Sequence, residues 1–142
     1  METIQVVYWS QTGNTEAMAY SIAEGIKEAG AEANVVNVAS ASMDDIKNAD
    51  SFAIGCPAMG AEVLEEYEME PFVEELEGIV KGKKVALFGS YGWGDGEWMR
   101  DWESRMQGAG AVLVNGEGLI VNETPDADGI EECKAFGKAL VG

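Results

Sequence analysis

The chain has 142 residues, 46% of them apolar, with 26 acidic against 9 basic side chains and a net charge of −17. That length and composition predict one globular domain over residues 1–142, with enough apolar surface for a core. The charge balance disfavours nucleic acid and anionic membranes as partners, and the absence of histidine removes histidine triads, histidine general bases and most zinc sites. No membrane-length apolar run and no signal-like leader opens the chain, which predicts a cytoplasmic protein. Cys56 and Cys133 stand at no metal-like spacing and read as free thiols.

In chain order, IQVVYW (4–9) is predicted as a buried strand. Met18, Ala19, Ile22, Ala23 and Ile26 recur at helical spacing, with Gly30 as the stop. NVVNV (34–38) is a second strand, and Ser42 caps a short helix over MDDIKNA. SFAIG (51–55) is a third strand, and Pro71 is expected to open a helix through FVEELEGIV. KKVALFGS (83–90) is the fourth strand, followed by a helix over 96–110 that ends in glycine. AVLV (111–114) and GLIV (118–121) read as strand pieces split by Asn115-Gly116, and residues 126–141 close the chain as a helix.

Strands alternate with helices, and the strands are continuous apolar runs rather than alternating ones. That is the pattern of a parallel sheet covered on both faces, and it predicts an α/β, doubly wound, five-stranded parallel sheet. Ligands of such sheets sit beyond the carboxyl ends of the strands. Three loops are expected on that edge, at 10–15, 56–68 and 90–96.

The first loop, SQTGNT, runs from a strand straight into a helix. Ser10, Thr12, Asn14 and Thr15 carry hydrogen-bond donors, Gly13 allows close backbone approach, and the helix start presents N–H groups and a positive dipole end. An ordinary capped helix needs only one such residue, so four in six residues point to a phosphate. The loop has no lysine and matches neither the nucleotide-triphosphate pattern nor the GxGxxG turn. The second loop brings Met59, Gly60 and Glu62, and the third places Tyr91 and Trp93 among Gly89, Gly92, Gly94 and Gly96. An aromatic on a glycine-rich loop is either an anchor folded back on the domain or a platform for a flat ring, with Met59 as the softer opposite face.

A phosphate, a flat heterocycle and an apolar sandwich together suggest flavin mononucleotide. YWSQTGNTE, GCPAMGAE and KKVALFGSYGWGDGEWM resemble the phosphate, turn and aromatic loops of the flavodoxins, specifically the short-chain type of anaerobic bacteria, and the resemblance covers the whole sequence. Flavodoxins are themselves a standard illustration of the strand-edge rule used above. The resemblance implies strand order 2-1-3-4-5, noncovalent FMN and low-potential one-electron transfer without substrate turnover. It implies that Ser10, Thr12, Gly13, Asn14 and Thr15 hold phosphate, with Gln11 in the same cofactor-binding loop, and that Met59 and Trp93 flank the ring. Glu62 is then the carboxylate accepting from the flavin N3–H. Ser90, Tyr91 and Gly92 contact the ribityl chain and the pyrimidine edge, and Ala58, Gly60, Ala61 and Gly94 complete the cofactor-binding set. Departures from the family pattern are Gln11 for a glycine or threonine, Pro57 for a serine, and Ala61 for a more polar turn residue. The central peptide of Met59-Gly60-Ala61-Glu62 is expected to reorient on reduction, with positive φ at Gly60.

From Cys56 to Glu77 the chain carries Glu62, Glu65, Glu66, Glu68, Glu70, Glu74, Glu75 and Glu77 and no base. Without a nearby cation the fully reduced, anionic flavin is disfavoured, which predicts a low potential. Glu62, Glu65, Glu66, Glu68 and Asp95 are read as an acidic surface that steers basic-surfaced redox enzymes to the flavin edge. A monomer is expected. Two other readings compete: a phospho-signalling receiver, which needs acids where Ser10 and Gln11 stand, and a small FMN-dependent, quinone-reductase-like enzyme, which needs a substrate pocket.

Overall fold

Apolar side chains on both faces of each central strand decide the architecture. In the computed structural model, which describes residues 3–11, 13–59, 64–92 and 96–141, the strands are β1 (Thr3–Tyr8), β2 (Glu32–Asn37), β3 (Ser51–Gly55), β4 (Lys84–Tyr91), β5 (Val112–Leu113) and β6 (Leu119–Asn122). The helices are α1 (Asn14–Glu28), α2 (Met43–Lys47), α3 (Met69–Leu76), α4 (Glu97–Gly108) and α5 (Ala127–Val141). All strand pairs are parallel, in the order β2-β1-β3-β4-β5, with β6 also on β4. The register brings Tyr8 opposite Gly55 and Gly55 opposite Phe88, so the first, third and fourth strands end close together.

The fifth position in the sheet is split. Val112 and Leu113 pair with Lys84 and Val85, and Leu119–Asn122 pair with Phe88–Tyr91. Between them Asn115 takes φ 59 and Gly116 φ 77, so the ladder breaks where the sequence predicted it.

The central strands feed two cores. Ile4, Val6, Tyr8, Ala53, Ala86 and Phe88 lie in the layer with Met18, Ile22, Ile26, Phe136 and Leu140 of α1 and α5. Val7, Phe52, Ile54, Val85 and Leu87 face the other way, toward Met69, Val73, Trp98 and Trp102. Small residues on the first face let α1 and α5 approach closely. A Cβ at Gly25 would sit 2.0 Å from the Lys134 carbonyl oxygen, and one at Gly137 would sit 2.1 Å from that of Ile22.

One helix boundary departs from expectation. Pro71 does not open α3; the helix starts at Met69 and ends at Leu76, short of Val80. The first N–H groups of a helix have no intrahelical acceptor, so proline in that first turn costs nothing. Past Leu76 the chain tightens into turns, with Gly78 N–H donating to Glu75 O at 3.1 Å and Ile79 N–H to Leu76 O at 2.9 Å. Among the described residues no helix is long and apolar enough to cross a membrane.

Candidate functional site

The carboxyl ends of β1, β3, β4 and β6 meet at one edge, and backbone bonds carry the strand alignment on into the loops. Trp9 N–H donates to Gly55 O at 3.0 Å, Cys56 N–H to Phe88 O at 3.1 Å, and Ala58 N–H to Ser90 O at 3.0 Å. Glu123 N–H, just past β6, donates to Tyr91 O at 2.8 Å. A cleft of about 250 Å³ results, lined by Gln11, Asn14, Pro57, Ala58, Met59, Ser90, Tyr91, Gly92 and Glu123.

The start of α1 is shaped by Gly13, whose φ of 93 lies in the left-handed region that favours glycine. Ser10 Oγ accepts from Gly13 N–H at 3.1 Å and from Glu16 N–H at 3.4 Å, closing the loop on itself. Thr15 is fully buried: its hydroxyl bonds Ser90 Oγ at 2.9 Å and accepts from Ser90 N–H at 3.3 Å. This pair ties the helix start to the end of β4. Thr124 Oγ1 donates to Asn14 Oδ1 at 3.0 Å, tying the same helix start to the loop after β6. Tyr8 Oη donates to Glu16 Oε2 at 2.6 Å, and this bond, with burial, pushes the tyrosine up to about 12.

The third loop has an aromatic base. The Tyr91 ring lies 5.9 Å from the Trp98 ring at 47°, and Trp98 Nε1–H donates to Cys56 O at 3.1 Å. Tyr91 is therefore propped against buried Trp98, while Met59 and Pro57 supply cleft lining from the second loop. Burial pushes the Cys56 thiol up to about 12, so it is a packing group here rather than a nucleophile.

Of the residues expected in the site, Gln11, Asn14, Ala58, Met59, Ser90, Tyr91 and Gly92 line the cleft. Ser10, Gly13 and Thr15 build the helix start that supports it. Thr12, Gly60, Ala61, Glu62, Trp93 and Gly94, with the expected Gly60 hinge and Asp95, lie outside the described residues. Two lining residues were not assigned from sequence. Pro57 was noted only as a departure. Glu123 belongs to a fourth loop, and the signal for it was the Glu123-Thr124-Pro125 turn directly after a predicted strand.

The comparison with known proteins decides between a carrier and the competing readings. Residues 6–137 match the family model of the flavodoxins. The chain is 53% identical over 137 residues to the flavodoxin of Clostridium beijerinckii, covering 96% of this chain and 98% of that protein. The chain belongs to the flavodoxin family. It is 48% identical to the flavodoxin of Megasphaera elsdenii over 136 residues, 96% of each chain. The solution structure of the two-electron reduced Megasphaera elsdenii flavodoxin superposes with a TM-score of 0.88, covering 97% of this chain and 98% of that one.

Flavodoxins are FMN-containing, low-potential electron carriers rather than enzymes, and the short-chain type is the type seen here. The residues present fit that cofactor. The cleft joins a helix start made of hydroxyl and amide groups to walls supplied by Met59 and Tyr91. Its described lining contains no lysine or arginine and one carboxylate, Glu123, so nothing there compensates charge added to the cofactor. Among the described residues no cluster of three or more histidine, cysteine or carboxylate groups could hold a metal.

The acidic surface differs from expectation at Glu65. Its side chain is buried, with 6% exposure, and it caps α3. Oε2 accepts from Tyr67 N–H at 2.8 Å, and Oε1 accepts from Glu68 N–H at 2.7 Å and Met69 N–H at 3.0 Å. Burial alone would push this carboxyl up, but the three N–H donors hold it below the usual carboxylate range. Glu70 and Glu77 are also engaged, both on Arg105, whose fork meets the two oxygens of Glu70. Glu66 and Glu68 remain exposed beside Tyr67, which is 86% exposed. Trp9 Nε1–H donates to Glu68 at 3.2 Å, which links this turn to the first loop.

Proposed function

We propose that the 10–15 loop and the cleft beside it hold FMN by its phosphate and its ring, and that the turn at 66–68 receives basic-surfaced redox enzymes in the cytoplasm. The observation that carries this reading is the convergence of Asn14 at the start of α1, Met59 of the second loop, Ser90 and Tyr91 at the end of β4, and Glu123 past β6 on one cleft at the carboxyl edge of the sheet. When bound, FMN supplies one-electron chemistry. The chain binds and orients. Ser10, Thr12, Gly13, Asn14 and Thr15 form the phosphate end, with Gln11 at its mouth. Met59 and Trp93 flank the ring and exclude water, with Ala58 and Gly94 beside them, and Tyr91 and Gly92 reach its pyrimidine edge. Gly60, Ala61 and Glu62 meet its polar edge, and Ser90 fixes the ribityl side. Glu123 and the acids of the second loop leave added negative charge uncompensated, which keeps the potential low.

The partner reading rests on charge. Exposed Glu66 and Glu68 frame exposed Tyr67, an aromatic anchor ringed by carboxylates, which suits a basic partner surface. The chain works as a monomer in this reading.

Titration of apoprotein with FMN and with riboflavin tests the cofactor assignment. Riboflavin lacks the phosphate, and each charge-assisted bond lost is worth roughly 1.5–3 kcal/mol, so riboflavin should bind at least a hundredfold more weakly. Equal affinities would overturn the phosphate assignment.

A further inference from the structure

Glu16 is the third residue of α1, after Asn14 and Thr15. A glutamate at that position favours the helix, and in the common capping arrangement its carboxylate reaches back to the N–H of the cap residue. That is the same space in which an anion would be held, so the charge that helps the helix opposes the ligand. In this structure the cap N–H of Gly13 is taken by Ser10 Oγ at 3.1 Å, which also accepts from the Glu16 N–H at 3.4 Å. The Glu16 carboxylate instead accepts from Tyr8 Oη at 2.6 Å. Tyr8 ends β1 and is 8% exposed, packed in the core layer beneath α1 and α5. A ring so placed holds its hydroxyl still, and the carboxylate conforms to it.

We propose that Tyr8 is a positioning residue for anion binding: its hydroxyl ties the Glu16 carboxylate back toward β1, away from the phosphate that the 10–15 loop holds. The inference rests on the phosphate reading of that loop. Residues 10–16 contain no lysine or arginine, so a carboxylate released there would face the phosphate uncompensated. Glu16 can then keep its favourable place in the first helical turn without competing for the ligand.

The test titrates apoprotein with FMN and with riboflavin, following flavin fluorescence. It uses wild type, Tyr8→Phe, Glu16→Gln and the double variant. Tyr8→Phe keeps the buried ring and removes only the tie. A like charge brought near a phosphate at a protein surface supports a loss of about tenfold in FMN affinity. Riboflavin affinity should stay within about twofold, and adding Glu16→Gln to Tyr8→Phe should restore FMN binding. Glu16→Asp gives a second route, because the shorter side chain keeps the charge but does not reach the tyrosine; it should weaken FMN and spare riboflavin. The proposal is overturned if Tyr8→Phe leaves FMN affinity unchanged, if both flavins weaken equally, or if the double variant stays as weak as Tyr8→Phe. A wild type that binds both flavins equally would instead overturn the phosphate reading, and the proposal with it.

Discussion

Replacing Glu65 tests whether a buried carboxylate can be worth more than a surface one. In Glu65→Ala the N–H groups of Tyr67, Glu68 and Met69 lose acceptors now at 2.8, 2.7 and 3.0 Å. Bonds to a charged acceptor are worth roughly 1.5–3 kcal/mol each, which sets a gross upper limit of about 9 kcal/mol. Residues 66–68 are exposed, so water reaches much of what is freed, and losing a helix cap by itself costs about 0.5–2 kcal/mol. The net expectation is about 2–4 kcal/mol, set by three donors losing one cap. With a urea slope of roughly 1–3 kcal/mol/M, the midpoint should fall by about 1–2 M. Glu65→Gln should cost about half as much, since an amide turns one N–H donor toward another.

The acid response separates charge from shape. The Glu65 carboxyl is held below its ordinary value of 4.5, so its stabilisation is fully present above that value. It is lost as pH falls through the lower folded value. The gap between wild type and Glu65→Gln in urea midpoints should therefore be constant from neutral pH to about 5.5 and shrink below 4.5. A Glu65→Gln variant as stable as wild type at pH 7, or a gap that does not shrink in acid, would refute the capping argument.

Two further outcomes are expected. Gly137→Ala gains about 1 kcal/mol of helix propensity yet places a Cβ 2.1 Å from the Ile22 carbonyl oxygen, so it should lower the melting temperature by several degrees; calorimetry showing an equal or higher value would mean α1 and α5 part freely. Second-order electron transfer with a basic reductase should slow as ionic strength rises, and Glu66→Gln with Glu68→Gln should reduce both the rate and its salt slope. Stopped-flow rates unaffected by either change would return those acids to a solvated face.

Much of the fold was legible because the sheet is covered on both sides. Val6 and Val7 are both fully buried though they point to opposite layers, and such runs read as strands without ambiguity. The break at Asn115-Gly116 was equally plain, since both residues need positive φ. The α3 boundary was not, because Pro71 tolerates any first-turn position and the true signal was the carboxylate of Glu65, four residues ahead of the helix and one of several similar acids there. Acids escaped correct reading for the same reason. In sequence Glu65 and Glu66 are adjacent and alike, yet one is 6% exposed and bonded to three amides while the other is exposed. Glu123 entered the site through the strand order, which brings β6 alongside β4; the turn at Glu123-Thr124-Pro125 marks a loop but does not by itself place it beside β4.

The buried thiols carry a consequence for measurement. Cys56 and Cys133 are both pushed up to about 12 by burial, and the chain has no histidine. The side chains that ordinarily give a protein its proton response around neutrality are thus missing or silenced. The described scaffold therefore supplies no imidazole or thiolate response between pH 6 and 8, and a proton-linked change in potential seen there points to the flavin rather than to a histidine or cysteine of its host.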